Sequence, residues 1–188
     1  MTTLIVIVAI VLLIVGFIWT TYNSLISLRV QVGEAWSDID VQLRRRYDLV
    51  PNLVETVKGY AAHEQGTFEK VVQARNAAMA ATGSPKDQQA AENMLTGALK
   101  SLFALAEAYP DLKASQNFQA LQGQLTEIES NIQAARRYYN GIVRDMNTKI
   151  GQFPSNLVAS QFKFEKADFF DIEDAAARQA VKVDFSKP

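Results

Sequence analysis

The N-terminal stretch carries the simplest pattern in the chain. From Leu4 to Trp19 the sequence reads LIVIVAIVLLIVGFIW, without one charged or strongly polar side chain, and the first charge is Arg29. Thr2, Thr3, Thr20, Thr21 and Tyr22 extend the run to the length that a hydrocarbon core of about 30 Å requires. Lipid offers the backbone no outside hydrogen-bond partner, so the chain must close its own bonds and a helix results despite the many Ile and Val residues. Leu4, Ile5, Val8, Leu12, Val15 and Phe17 are the expected lipid-facing residues, with Trp19 and Tyr22 as an interfacial aromatic anchor. A cleaved signal peptide needs a basic start, a shorter apolar core and a small-residue cleavage site. Met1-Thr2-Thr3 has no base and Phe17-Ile18-Trp19 is a poor cleavage context, so residues 1–24 are expected to remain as a single-pass transmembrane anchor.

Residues 25–150 carry a different rhythm. Phe118, Leu121, Leu125, Ile128, Ile132, Ala135, Tyr139, Ile142 and Met146 recur with alternating steps of three and four, a heptad seam that predicts helices packed at about 20°. Leu95, Ala98, Leu102, Leu105 and Tyr109 repeat the pattern, as do Trp36, Ile39, Leu43, Val50, Leu53, Val57, Tyr60 and later Phe68 and Val71. Short connections between such segments force antiparallel neighbours. The expected fold is all-α: a transmembrane helix followed by a long antiparallel up-and-down bundle, its first helix continuing out of the membrane.

A kink or break is expected near residues 46–51, and breaks near 82–87 and 109–116. At the first, Arg46 falls where the stripe needs an apolar residue and Pro51 follows, at a cost of about 3 kcal/mol if it lies in a helix interior. Asp48 reads as the cap of a restarted helix with Pro51 in its first turn. At the second, Gly83 is suited to end one helix, Ser84 to cap the next, Pro85 to its first position and Asp87 to its first turn. At the third, Tyr109-Pro110-Asp111 ends a segment, and Ser115 or Asn117 is placed to cap the last long helix.

Beyond Gly151 the pattern dissolves into a Phe-rich C-terminal tail, residues 151–188. Pro154 stops the helix, Phe162 and Phe164 alternate with polar residues like a short extended segment, and Phe169 and Phe170 precede an acidic stretch, Asp171 to Asp174. The tail either folds back over the bundle or docks on a neighbouring protomer or another protein, which makes Phe153, Phe162, Phe164, Phe169 and Phe170 candidate oligomer or partner contacts.

Charge and composition then narrow the chemistry. The chain has 188 residues, a formal net charge of −1 with both signs interspersed, and no cysteine. Nucleic acid is not an expected partner, and disulfides, thiolate catalysis and Cys-based metal sites are excluded. The one histidine, His63, precedes Glu64, but Thr67 stands where a metalloprotease H-E-x-x-H helix needs its second histidine. No glycine-rich phosphate loop opens a strand-turn-helix pattern. No catalytic, cofactor-binding or metal-ligating residue is assigned, and the chain is expected not to be an enzyme. Arg44, Arg45 and Arg46 form the densest basic run, a candidate basic patch. On an upright helix Arg44 sits about 33 Å beyond Tyr22, several Debye lengths from the headgroups. A solvated face, or pairing with acids inside the bundle, is therefore favoured over lipid binding.

Several longer motifs carry a resemblance. Tyr22-Asn23 followed by Leu25 and Leu28, then AWSDIDVQLRRRYDLVPNLVETVKGYAAHE from Ala35 to Glu64, resemble the signature of the LemA family of bacterial proteins. So do ARNAA at 74–78, AEAYPDLKAS at 106–115, ARRYYN at 135–140, FPSNLVA at 153–159 and KVDF at 182–185. The resemblance spans nearly the whole chain. It implies an N-terminal anchor, an antiparallel helical bundle and no assigned catalytic residues, in a family without an agreed biochemical activity. A magnetosome-forming relative associated with membrane organelles makes membrane organisation the natural expectation. Some relatives carry a lipoprotein signal in place of a plain anchor; this chain, lacking cysteine, departs from them.

Two functional expectations follow. The first is a non-enzymatic, membrane-anchored scaffold that self-associates and organises membrane or membrane-associated proteins. The second is a membrane-tethered binding module that regulates or delivers a single partner, such as a membrane protease or signalling protein. The expected partners are the lipid bilayer, further copies of the chain and another membrane protein. Lys and Arg lie only C-terminal to the span, which favours a bacterial inner-membrane protein with its domain in the cytoplasm over a periplasmic or extracellular one.

Overall fold

One helix, α1 (Thr2–Lys58), runs from the apolar N-terminal stretch into the bundle without a break. It is followed by α2 (Gln65–Ala80), α3 (Pro85–Glu107), a single turn α4 (Pro110–Lys113), α5 (Gln116–Gly151) and α6 (Ser155–Gln161). The structure is a computed structural model that describes residues 1–81 and 84–171; among these there is no strand. Gly83, the residues after Asp171 and the KVDF motif lie outside the described residues.

The helix does not break at 46–51, and the reason is a tertiary contact. Pro51 has no N–H, so the Tyr47 carbonyl four residues earlier loses its helical partner. Arg75 of α2 takes that place, its Nε donating to the Tyr47 carbonyl at 2.7 Å. A tertiary donor thus replaces the missing helical one, and Asp48 caps nothing. The helix ends instead at Lys58, where Gly59 and Tyr60 turn the chain. Tyr60, expected on the stripe, is consequently exposed.

From the level of Tyr22 to Lys58, α1 rises about 54 Å at ~1.5 Å per residue. Antiparallel α5 lies along most of that length. Lys149 Nζ meets Ser24 Oγ near the membrane end, the Trp36 and Tyr139 rings are 5.5 Å apart midway, and Arg46 reaches Glu129 near the head. The seam expected on α5 is the face that packs: Phe118, Leu125, Ile132, Tyr139, Ile142 and Met146 are buried, with Leu121, Ile128 and Ala135 half-buried between them. α2 returns antiparallel to the upper half of α1, and α3 packs on α2 through Ala91, Leu95, Leu99, Leu102 and Ala106.

The start of α3 is held by a capping box. Ser84 Oγ accepts from the Asp87 N–H, Asp87 Oδ2 accepts from the Ser84 N–H at 3.1 Å, and Pro85 occupies the first helical position. Ser115 caps α5, accepting from the Phe118 N–H. The molecule thus has a four-helix head carried on a two-helix stalk of lower α1 and lower α5.

Candidate functional site

A helix turns about 100° per residue, so three consecutive arginines cannot share one face. The candidate patch is accordingly divided. Arg44 is exposed and pairs with Asp40 one turn earlier at 2.9 Å. Arg45 is exposed and lines a shallow groove of about 410 Å³ between α1 and α5, with Glu127 and Asn131. Arg46 is not a surface residue at all: its relative exposure is 0 %. It occupies a seam position of α1, among Leu43, Tyr47 and Val50, and points into the head.

Burial of an arginine is tolerated only when its charge is met. Here Nη2 makes direct ion-pair contact with Oε2 of Glu92, which is equally buried on α3. Nη1 donates to Glu129 Oε1 of α5 at 2.8 Å and to Thr96 Oγ1 at 3.5 Å. The Tyr47 hydroxyl donates a short hydrogen bond to Glu92 Oε1. Gln88 Nε2 completes the set, its two N–H groups shared among Glu92 Oε1 and the Tyr47 hydroxyl at 2.9 Å each and the Ala78 carbonyl at 3.1 Å. Burial pushes the Tyr47 phenol up to about 12, against the opposing pull of the Arg46 charge and the Gln88 hydrogen bond. It therefore remains a neutral donor at physiological pH. One network ties α1, α2, α3 and α5 together, and one-residue slippage of α1, α3 or α5 would strand a charge.

Arg46 and Glu92 at the centre of the network are closed off from solvent. From outside, a cleft of about 440 Å³ reaches its Tyr47 and Gln88 edge, walled by Trp36, Asp40, Arg44, Asp48 and Met79. Among the described residues no group of three or more His, Asp or Glu side chains is placed to hold a metal ion. His63 lies exposed in the turn between α1 and α2. Gln88, Glu92 and Glu129 were not singled out by the sequence pattern. The signal that marks two of them is the one that marks Arg46: Gln88 and Glu92 continue the Leu95 stripe backwards with polar residues at seam positions.

The tail aromatics divide as well. Phe164 and Phe170 are buried in their own chain, Phe170 edge-on to Trp36 at 5.1 Å and Phe164 against Tyr22 and Leu25. Buried there, they are not free to serve as oligomer or partner contacts. Phe153, Phe162 and Phe169 are exposed. The segment around Phe162 is not extended: α6 reaches Gln161, and Phe162-Lys163 form a turn.

Two asparagines of α5 hold the returning chain. Asn147 donates to the Ala167 carbonyl and accepts from the Ala167 N–H, both at 2.9 Å. One heptad earlier, Asn140 donates to the Phe170 carbonyl at 3.0 Å and accepts from its N–H at 2.9 Å. Seven helical residues span about 10.5 Å, and three residues of extended chain reach about the same distance. The spacing therefore fits only a nearly straight strap, each amide taking the role of a neighbouring strand. Tyr139 adds a bond from its hydroxyl to the Asp168 carbonyl at 2.8 Å. Burial, and then the nearby Asp168 carboxylate, push its phenol up to about 12.

The expected anchor residues Leu4, Ile5, Val8, Leu12, Val15, Phe17 and Trp19 are all exposed, which is compatible with a lipid-facing surface, while Tyr22 is half-buried under the tail. The apolar window at the start of α1 is long enough to cross a membrane and none of it is buried by protein.

Comparison with known proteins agrees with this architecture. The LemA family model matches residues 35–185. The chain is similar to Protein LemA of Metamycoplasma hominis, with 29% identity over 181 residues that cover 92% of this chain and 78% of that protein. It is similar to Magnetosome protein MamQ 2 of Paramagnetospirillum magneticum, with 25% identity covering 88% of this chain and 71% of that protein. Magnetosome protein MamQ of Magnetospirillum gryphiswaldense is 23% identical, covering 85% and 69%. With the family match extending over most of the bundle and into the tail, the chain belongs to the LemA family.

Proposed function

We infer that the chain is a non-enzymatic, membrane-anchored scaffold that self-associates and organises membrane or membrane-associated proteins. The observation that carries this reading is the continuity of α1 from Thr2 to Lys58. A helix without a hinge makes the bundle a mast whose tilt follows the span, and such a mast is suited to hold partners at a set height. The names of two relatives, both magnetosome proteins, support a role in membrane organisation. The α5 seam and two tail rings are buried within one chain, so self-association must use other surfaces: Phe169 and the exposed Tyr138 stand at one level of the stalk. Native mass spectrometry of the full-length protein from detergent tests this. Particles of several copies are expected; a 20.9 kDa monomer at every concentration overturns self-association.

The second reading, a tethered module for one partner, draws on the cleft at Trp36, Asp40, Arg44, Asp48 and Met79. Crosslinking in intact cells from a photoreactive group at Met79 separates the two. Self-crosslinks support the scaffold, and one dominant foreign protein supports the module. The charge asymmetry around the span favours a domain on the cytoplasmic face of the bacterial inner membrane. Protease resistance of a C-terminal tag in spheroplasts is the expected result, and digestion of the tag reverses the orientation.

A further inference from the structure

The end of α5 leads into α6, which packs at the foot of the bundle, its Ala159 against Leu25, Ile26 and Ile150, and extends from there beside the span. Pro154, Leu157, Val158, Gln161 and Phe162 face Ile14, Phe17 and Ile18 across a groove of about 360 Å³ whose lining is apolar apart from Gln161. Those α1 residues lie four to eight positions before Tyr22, about 6–12 Å below the aromatic end of the span. The inner face of α6, Val158 and Ala159, is buried. Its outer side is apolar and uncovered: Phe153 is 75% exposed, Leu157 62% and Phe162 47%.

The groups just above this level are of the opposite kind. Arg29 lies over the Phe164 ring at 4.4 Å, and Lys149 bonds Ser24. Lys163 and Lys166 follow directly after α6, and Glu165 is the one acid in 20–29 and 147–166. Apolar rings below a belt of cations is the profile of a segment lying in a membrane interface, where apolar faces sink about 5–10 Å and basic groups meet anionic headgroups. The turn that leaves α6 is built to bring the chain back out. Phe164 N–H bonds the Ala159 carbonyl at 2.9 Å and Lys163 N–H the Ser160 carbonyl at 3.2 Å, with Lys163 at φ 54. This is a Schellman motif, closed by the contact of Phe164 with Ala159.

We propose that α6 and its flanking Phe153 and Phe162 form a second membrane contact, a monotopic wedge whose outer face and groove are filled by lipid acyl chains at the depth of Ile14 to Ile18. The occupant is lipid because one wall of the groove belongs to the membrane span itself. The chain is therefore held to the bilayer at two points, the span and the wedge, which restrains rotation of the mast about the span axis. This rests on the membrane-anchored reading of α1 given above.

The absence of cysteine makes a direct test available. Single cysteines at Leu157, at Leu12 in mid-span and at Gln122 near the head are labelled with the environment-sensitive fluorophore NBD. The full-length protein is reconstituted into phosphatidylethanolamine–phosphatidylglycerol vesicles carrying either shallow or deep doxyl-labelled lipid. The expected result is blue-shifted emission at Leu157→Cys, quenched most by shallow doxyl, with Leu12→Cys quenched most by deep doxyl and Gln122→Cys water-like and unquenched. Water-like emission at Leu157→Cys beside a quenched Leu12→Cys overturns the wedge and leaves the anchor standing. Blue-shifted but unquenched emission that is lost on dilution with lipid overturns it in favour of a second copy of the chain. Failure of doxyl to quench Leu12→Cys removes the anchor and the wedge together. Leu157 is exposed, so its replacement leaves the fold intact, which unchanged ellipticity verifies.

Discussion

The head, where α1, α2, α3 and α5 surround Arg46, and the stalk, where α1 and α5 are joined by the returning tail, satisfy buried polar groups in different ways. In the head, charge meets charge: Arg46 is paired with Glu92 and Glu129, and Tyr47 and Gln88 bond the Glu92 carboxylate, while the buried Arg46 Nε has no hydrogen-bond partner. In the stalk, neutral amides meet neutral backbone: Asn140 and Asn147 each close two bonds on the strap. The difference decides what happens when one partner is lost. A lone buried charge has no acceptable state, whereas a released strap turns its backbone to water. The head is thus rigid and intolerant, and the stalk is a closure that opens locally.

The largest expected effect tests the head. Glu92→Leu should lower stability by about 3–5 kcal/mol, because it leaves Arg46 buried beside a single, partly exposed carboxylate. Arg46→Met combined with Glu92→Leu should restore much of the loss, since an apolar replacement of both partners removes the orphan charge. Denaturant titration followed by ellipticity checks this, and an equal loss in single and double variants would erase the contrast between head and stalk.

Asn140→Leu comes next, at about 1–3 kcal/mol for the unpaired Phe170 N–H and carbonyl. The distinguishing readout is hydrogen exchange, which should accelerate at Ala167 to Phe170 while the head stays protected. Exchange that rises across α2 and α3 as well would show the two regions to be one cooperative unit.

The alkaline limb of stability compares the regions through one residue type. Tyr47 in the head and Tyr139 in the stalk are both pushed up to about 12 by burial, from an ordinary value of 10.0. A folded pKa above the unfolded one means that folding holds the proton more tightly. The contribution is therefore complete below pH 10 and is lost as pH rises from 10 towards 12. The urea midpoint should be level in that respect below pH 10 and fall above it. Tyr47→Phe and Tyr139→Phe should each flatten part of the fall, and a fall unchanged in both variants would exclude these phenols as its cause.

The smallest effect is at the membrane end. Lys163 ends α6 in the left-handed region at φ 54, where glycine is at ease and a side chain costs about 1 kcal/mol. Lys163→Gly should raise stability by no more than about 0.5 kcal/mol after the entropy of the freer unfolded chain is counted. A decrease would mean that the lysine contributes a contact that outweighs its strain.

Much of this architecture was legible in one dimension. The anchor, the α5 seam from Phe118 to Met146 and the Ser84-Pro85-Asp87 start of α3 depend on neighbours within a few residues, so periodicity and cap chemistry reveal them. Arg46 was visible as an anomaly on a stripe, but its meaning was not, because Glu92 and Glu129 lie far along the chain. Pro51 misled for the same reason: a break is the local outcome, and Arg75 lies on another helix. Asn140 and Asn147 show a heptad spacing that means nothing until the strap's register beside them is known.

The sequence alone determined that the chain spans a bilayer-length apolar stretch, that it is helical, and which faces of its helices are apolar. Those properties are sums over contiguous residues and a fixed helical pitch. Only the tertiary structure decided that Arg46 lies inside, that α1 runs through Pro51, that Phe164 and Phe170 are covered by their own chain, and that α6 lies beside the span. Each of these depends on which surfaces meet across tens of residues, and on polar groups finding partners that local pattern does not name.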